Sequence, residues 1–208
     1  MFITLEGPDG GGKTLQAAAL AEFLEGEGYN VLLTHEPGGT SIGEQIRGIL
    51  SNLENTAMHP RTETLLFMAA RAQLVEQVIR LHLQEGGIVL SDRYADSTRA
   101  YQGYGYENDL EKIDHLIEFA TGGLNPDLTL LLDIDVEEGL RRRVHGGGWN
   151  RMDAYELEVH RRARAGYHQL ARAEPERWVV IDAARPVDEV QAELRKVLLD
   201  RLAVRPTA

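Results

Sequence analysis

Eight residues near the start of the chain, Gly7-Pro8-Asp9-Gly10-Gly11-Gly12-Lys13-Thr14, follow the apolar run Phe2-Ile3-Thr4-Leu5 and precede apolar residues at Leu20, Phe23 and Leu24. The run reads as a buried strand. The three- and four-residue spacing beyond the loop predicts a helix that stops at Gly26 and Gly28. A glycine-rich loop between a strand and a helix restricts the possible folds sharply, because its backbone N–H groups can curl around a phosphate only where no Cβ blocks the approach. In such a loop Lys13 supplies a cation to the β/γ-phosphates and Thr14 a hydroxyl for Mg²⁺. Lysine is scarce elsewhere: Lys13, Lys112 and Lys196 are the only three among 22 Lys and Arg. Gly7 to Thr14 are therefore the candidate binding residues for a nucleoside triphosphate.

Four further apolar runs, Val31 to Thr34, Ile88 to Leu90, Leu128 to Leu132 and Trp178 to Ile181, are short and separated by helical patterns. That alternation predicts an α/β fold with a parallel sheet covered on both faces. Helices are expected over Thr62 to Leu83, Val136 to Arg143 and Met152 to Ala173, and along the stripe Val187, Val190, Leu194, Val197, Leu198 and Leu202; the tail ending in Arg205-Pro206-Thr207-Ala208 is expected to fray. At 208 residues one domain is the default, and a net charge of −11 disfavours nucleic acid polymers and anionic membranes as partners. Bound phosphate must then meet a local cluster of arginines. The absence of cysteine excludes disulfides and thiolate metal sites. With the first strand starting at residue 2 and no membrane-length apolar run, neither a leader segment nor a membrane span is expected, and the cytoplasm is the expected location.

Outside the loop, Asp92 and Arg93 end the third apolar run, at the edge where an α/β sheet places its ligands. Asp92 is either a second acidic element facing Mg²⁺ across from Thr14 or a cap of the next helix. Arg93 is a phosphate clamp or a surface ion pair. Phe67 and Arg71, four apart, share a helix face, an arrangement as ordinary for core packing as for a base and its phosphate. Glu36-Pro37-Gly38-Gly39-Thr40 follows the second strand and reads as a turn at the same edge. Gly146-Gly147-Gly148, between Arg141-Arg142-Arg143 and Arg151, suits either a hinged lid that carries positive charge over a phosphate chain or a solvated basic helix end. The seven histidines show no metal-ligand spacing and are taken as non-catalytic.

Taken together, the loop with its flanking Glu6 and Gln16, Glu36-Pro37-Gly38-Gly39-Thr40, Arg61 to Phe67 with Arg71, Asp92-Arg93-Tyr94 with Ser97 and Ala100-Tyr101-Gln102-Gly103, and Asn125-Pro126-Asp127-Leu128-Thr129 resemble thymidylate (dTMP) kinases over nearly the whole chain. The resemblance implies a three-layer P-loop kinase fold with a five-stranded parallel sheet flanked by helices. It implies one nucleotide kinase domain over 1–208, with a mobile lid at about 141–153, and a homodimer. The implied reaction is ATP-dependent phosphorylation of dTMP to dTDP, in dTTP biosynthesis, with Mg²⁺ near Thr14 and Asp92. The implied roles are Asp9 at the deoxyribose 3′-hydroxyl, Phe67 stacked on thymine, Arg71 at the base and acceptor phosphate, and Arg93 gripping that phosphate. Ser97 and Gln102 would fix the base, Tyr101 would crowd the 2′ position, and Glu36 would sit near the acceptor phosphate and metal. Because Gly10 stands where some relatives carry an arginine, the arginine on the transferring group is expected from the lid, Arg151 first and Arg142 next. Catalysis is thus assigned to Lys13, Asp92, Arg93 and that lid arginine.

Four residues depart from the family's usual pattern: Leu15, His35 in place of arginine, Arg99, and Asn150 before Arg151. The alternative is a kinase for another deoxynucleotide or for a deoxynucleoside, in which Glu36 would serve as base. Arg71 and Arg93 favour an acceptor that already carries phosphate.

Overall fold

The computed structural model describes residues 1–146 and 149–203. Gly147 and Gly148 of the expected hinge, and the tail from residue 204, lie outside them. Five parallel strands, β1 (Phe2–Glu6), β2 (Val31–His35), β3 (Ile88–Asp92), β4 (Leu128–Asp133) and β5 (Trp178–Asp182), form one sheet in the order β2-β3-β1-β4-β5. Around it run helices α1 (Lys13–Gly26), α2 (Ser41–Ser51), α3 (Pro60–Leu74), α4 (Arg80–Gln84), α5 (Ala95–Thr98), α6 (Leu110–Thr121), α7 (Val136–Gly146), α8 (Leu157–Ala173) and α9 (Val187–Ala203). Among the described residues no helix is long and apolar enough to cross a membrane.

Alternation along β1 sets the layers. Ile3 and Leu5 face one side, where they pack with Leu20 and Leu24 of α1 and Leu194 and Leu198 of α9. Phe2 faces the other, among Leu74, Ile113 and Ile117. Thr4 shares that second face and meets Thr129 of β4, hydroxyl to hydroxyl at 3.0 Å, and Glu6 ends the same row at full burial. The sheet edges are less covered than expected: Leu33 of β2 and Val180 of β5 are 43% and 46% exposed.

Side-chain caps place the helices. Thr40 Oγ1 accepts from Gly43 N at 3.0 Å to start α2, and Asp109 from Glu111 N at 3.1 Å to start α6. Pro60 fits the first turn of α3. The long helix expected over Thr62 to Leu83 is there but interrupted, since Val75–Ile79 form a π-helical turn between α3 and α4. A second π-helical turn, Arg99–Gly105, continues α5. The helix expected from Met152 begins only at Leu157. Asn150 Oδ1 accepts from Met152 N at 2.8 Å and Asp153 accepts from Asn150 N at 2.9 Å, and this local polar turn displaces the helix start.

The phosphate loop crosses the start of α7 so closely that glycine is required on both sides. A Cβ on Gly10, whose φ is 78°, would overlap the carbonyl of Gly139, and one on Gly139 would overlap the carbonyl of Asp9. Helix propensity alone would make Gly139→Ala stabilising by about 0.5–1 kcal/mol. The packing predicts the opposite sign, a loss of about 1–3 kcal/mol, read as a fall in the urea midpoint.

Candidate active site

The C-terminal ends of β1 and β3 deliver the groups that meet in a cleft of about 890 Å³, lined by Asp9, Lys13, Glu36, Phe67, Arg71, Asp92, Arg93, Ser97, Tyr101 and Gln102 among others. The volume is near the upper end of the roughly 300–1,000 Å³ usual for ligand sites. All the acceptor-side residues expected from the sequence are therefore brought together.

Loop geometry follows from the glycines. Gly7, Gly10 and Gly12 have φ of 136°, 78° and 81°, and a Cβ on Gly7 would overlap the Leu132 carbonyl of β4. Lys13 opens α1 and is 6% exposed. Its ammonium donates to Gly7 O at 3.0 Å and Pro8 O at 2.8 Å, which leaves one of its three donors for a phosphate oxygen. Burial, followed by the nearby Arg93, pushes its pKa down to about 8. Thr14 donates its hydroxyl to Asp92 Oδ2 at 2.5 Å. Asp92 therefore faces the loop; it does not cap the next helix, whose N-cap position is Tyr94, with no side-chain capping bond.

Arg93 adopts a left-handed backbone, φ 72°, and turns its side chain back over the loop. Its Nη2 donates to Asp9 Oδ1 at 2.5 Å, and its Nη1 to Gly7 O, Ser97 Oγ and the Tyr167 hydroxyl at 3.1, 3.0 and 3.2 Å. Tyr101 donates to the other Asp9 oxygen at 2.8 Å. Burial favours the neutral acid at Asp9, but Arg93, Lys13 and Tyr101 outweigh it and hold the carboxyl well below the usual carboxylate range.

Arg71, 1% exposed, is bound on all sides. It donates to both oxygens of Glu36 (2.5–3.1 Å), to Thr98 Oγ1 at 3.1 Å, to Tyr94 O at 3.0 Å and to Met68 Sδ at 3.6 Å. Contact with an acceptor through Arg71 would exchange one of these bonds. Glu36 is thus its counter-charge. His35, the departure from arginine, lines the cleft and pairs with Glu44 Oε1 at 2.9 Å.

The arginines expected from the lid are distributed. Arg142 and Arg143 line the cleft. Arg142 donates to Glu138 and to Ala183 O and Ala184 O, and Arg143 to Asp153 Oδ1 at 3.0 Å. Arg151, the first choice from the sequence, does not line the cleft and donates to Glu63 Oε2 at 2.6 Å and Leu50 O at 2.8 Å. Gln102 shares that carboxylate, donating to Glu63 Oε1 at 2.8 Å. Glu6, Glu63 and Tyr167 escaped the sequence reading. The first two sit inside matched motifs, yet a glutamate that ends an apolar strand or lies on a helix face carries no chemical signature of its own.

A parallel α/β sheet whose central strand feeds a glycine-rich loop and lysine, faced by an acidic residue and an arginine at the end of the neighbouring strand, defines a P-loop nucleotide phosphotransferase. The family model described as thymidylate kinase matches residues 5–194. Thymidylate kinase of Roseiflexus castenholzii is 50% identical over 219 aligned residues that cover 99% of this chain and 96% of the relative. That of Thermomicrobium roseum is 53% identical over 190 residues, 91% of this chain and 90% of the relative. The crystal structure of thymidylate kinase from Ehrlichia chaffeensis superposes with a TM-score of 0.79 at 36% identity, covering 96% of this chain and 98% of that one. The chain belongs to the thymidylate kinase family.

The Lys13 environment generates a pH dependence. The sequence reading assigns its ammonium to the triphosphate as a cation, and that charge is lost as pH rises through a pKa of about 8. Since kcat/KM reports the free enzyme, kcat/KM for ATP should fall about tenfold per unit well above pH 8, whereas kcat, measured with triphosphate bound against the lysine, should hold to higher pH.

Proposed function

We propose that the cleft holds the two nucleotides end to end across the phosphate loop, and the reaction is transfer of the γ-phosphoryl of ATP to the 5′-phosphate of dTMP. A P–O bond to ADP breaks and one to a dTMP phosphate oxygen forms. The carrying observation is the Asp9–Arg93 bridge, because it ties the donor's loop to a clamp in the acceptor pocket. No side chain is asked to take a proton, since a phosphate monoester with a second pKa near 6 is mostly dianionic at pH 7. The protein's part is positioning and charge neutralisation.

In this reading Lys13 and the loop N–H groups hold the donor phosphates, and Arg93 grips the acceptor phosphate. Phe67 stacks on the base, Ser97 and Gln102 fix it, Arg71 adds positive charge beneath it, and Asp9 and Tyr101 flank the sugar. The Thr14 hydroxyl and Asp92 carboxylate, 2.5 Å apart, suit Mg²⁺, which takes few protein oxygens and keeps waters and phosphate oxygens for the rest. Bound there, the ion would neutralise phosphate charge. We read residues 1–208 as one domain, working as a homodimer in the cytoplasm.

A lid arginine on the transferring group completes the proposal, and Arg151 reaches that position by exchanging its Glu63 partner. Arg151→Ala should lower kcat by about 10³-fold with a much smaller change in the KM for dTMP. A rise in that KM alone would make Arg151 a wall of the acceptor site and pass the role to Arg142 or Arg143. The reading as a whole is tested by ADP release with ATP and each of dTMP, dUMP, dCMP, UMP and thymidine. dTMP should be strongly preferred, and preference for thymidine would turn the account toward the nucleoside-kinase alternative.

A further inference from the structure

Glu6 is fully buried at the end of the central strand, and its three partners are neutral donors. Oε1 accepts from Tyr94 N at 2.8 Å; Oε2 accepts from Ser97 Oγ at 2.6 Å and from the Tyr167 hydroxyl at 3.0 Å. Burying a carboxylate without a countercharge in contact is costly, and an apolar residue would fill the end of this strand at lower cost. The same two hydroxyls, 2.8 Å from each other, face Nη1 of Arg93.

Counting protons shows why an acid suits this place. An arginine only donates, so Ser97 Oγ and the Tyr167 hydroxyl must both offer it lone pairs. Each hydroxyl has a single proton, which then has to point away from Arg93. An ionised carboxylate accepts both. A protonated or amidated Glu6 brings hydrogens of its own to that position, so the two hydroxyls can no longer both donate there without competition and the bonds that fix them for Arg93 rearrange. Arg93 depends on this set of bonds because its left-handed backbone is itself unfavourable for a non-glycine residue.

We propose that Glu6 is a positioning residue for the acceptor-phosphate clamp, its ionised carboxylate fixing the Ser97 and Tyr167 hydroxyls that aim Arg93. The proposal rests on the reading of Arg93 as that clamp. The groups facing Glu6 are Asp96 of α5, Arg93, Tyr167 of α8 and Lys13 of α1. Burial, then the charge of Asp96, pushes its carboxyl up to about 7 despite the opposing Ser97, Arg93 and Tyr94. The ionised form is therefore lost as pH falls through neutrality. The clamp loosens on that side, above the pH at which the substrate phosphate itself titrates, near 6.

The test is steady-state kinetics from pH 6 to 8.5 on the wild type, Glu6→Gln, Tyr167→Phe and Arg93→Ala. Glu6→Gln should raise the KM for dTMP about tenfold at pH 8, with the KM for ATP changed far less. It should also lose the inflection near pH 7 in kcat/KM for dTMP and keep only the substrate's own near 6. Tyr167→Phe, which removes one donor to the carboxylate, should move the inflection to higher pH; it carries the test if Glu6→Gln fails to fold. Equal losses toward both substrates, or an unmoved inflection in both variants, would overturn the role of Glu6. Arg93→Ala separates the two levels. If it raises the KM for dTMP while the other two variants do not, only the Glu6 proposal fails; if it leaves that KM unchanged, the clamp reading fails and takes the proposal with it.

Discussion

The ion pair between Asp9 and Arg93 is the constraint on which the rest of the site depends. It joins a side chain of the phosphate loop, after β1, to one at the end of β3, and both are less than a quarter exposed. Around it the charges respond to one another. Arg93 holds Asp9 ionised, helps push the Lys13 pKa down to about 8, and faces the buried Glu6 through two hydroxyls. On a chain of net charge −11, Lys13, Arg71, Arg93, Arg142 and Arg143 converge on one cleft. Local preorganisation of charge matters more to such a reaction than overall charge.

A buried carboxylate next to a clamp arginine has two consequences. On the proposal above, it sets the arginine's direction and makes the clamp sensitive to pH near neutrality. Glu63 is a second buried carboxylate, 2% exposed and shared between Gln102 and Arg151, here with the arginine in direct contact. Both glutamates lie behind the residues that would touch substrate.

Much of this was legible in the sequence, for physical reasons. All five strands were visible as short apolar runs because the interior of a parallel sheet tolerates little else, and the loop was visible because only glycine tolerates its backbone. Asp92 could be placed at the ligand edge but not assigned until its carboxylate was found on the Thr14 hydroxyl. The strand order, the capped helix α2 and the π-helical turns at Val75 and Arg99 had no local signature strong enough to read. The start of α8 was misplaced by five residues because the polar turn around Asn150 and Asp153 has apolar neighbours at helical spacing. Glu6, Glu63 and Tyr167 were invisible for a different reason: what they do is defined by partners up to 161 positions away in the chain.

The most direct test of the central claim is a double-mutant cycle on Asp9→Asn and Arg93→Ala, read as the affinity for dTMP by isothermal titration calorimetry. If the two residues act as one unit, the double variant should lose about as much affinity as Arg93→Ala alone, a coupling on the order of 1–3 kcal/mol. Losses that add within about 0.5 kcal/mol would mean that loop and clamp act independently, and would contradict the account.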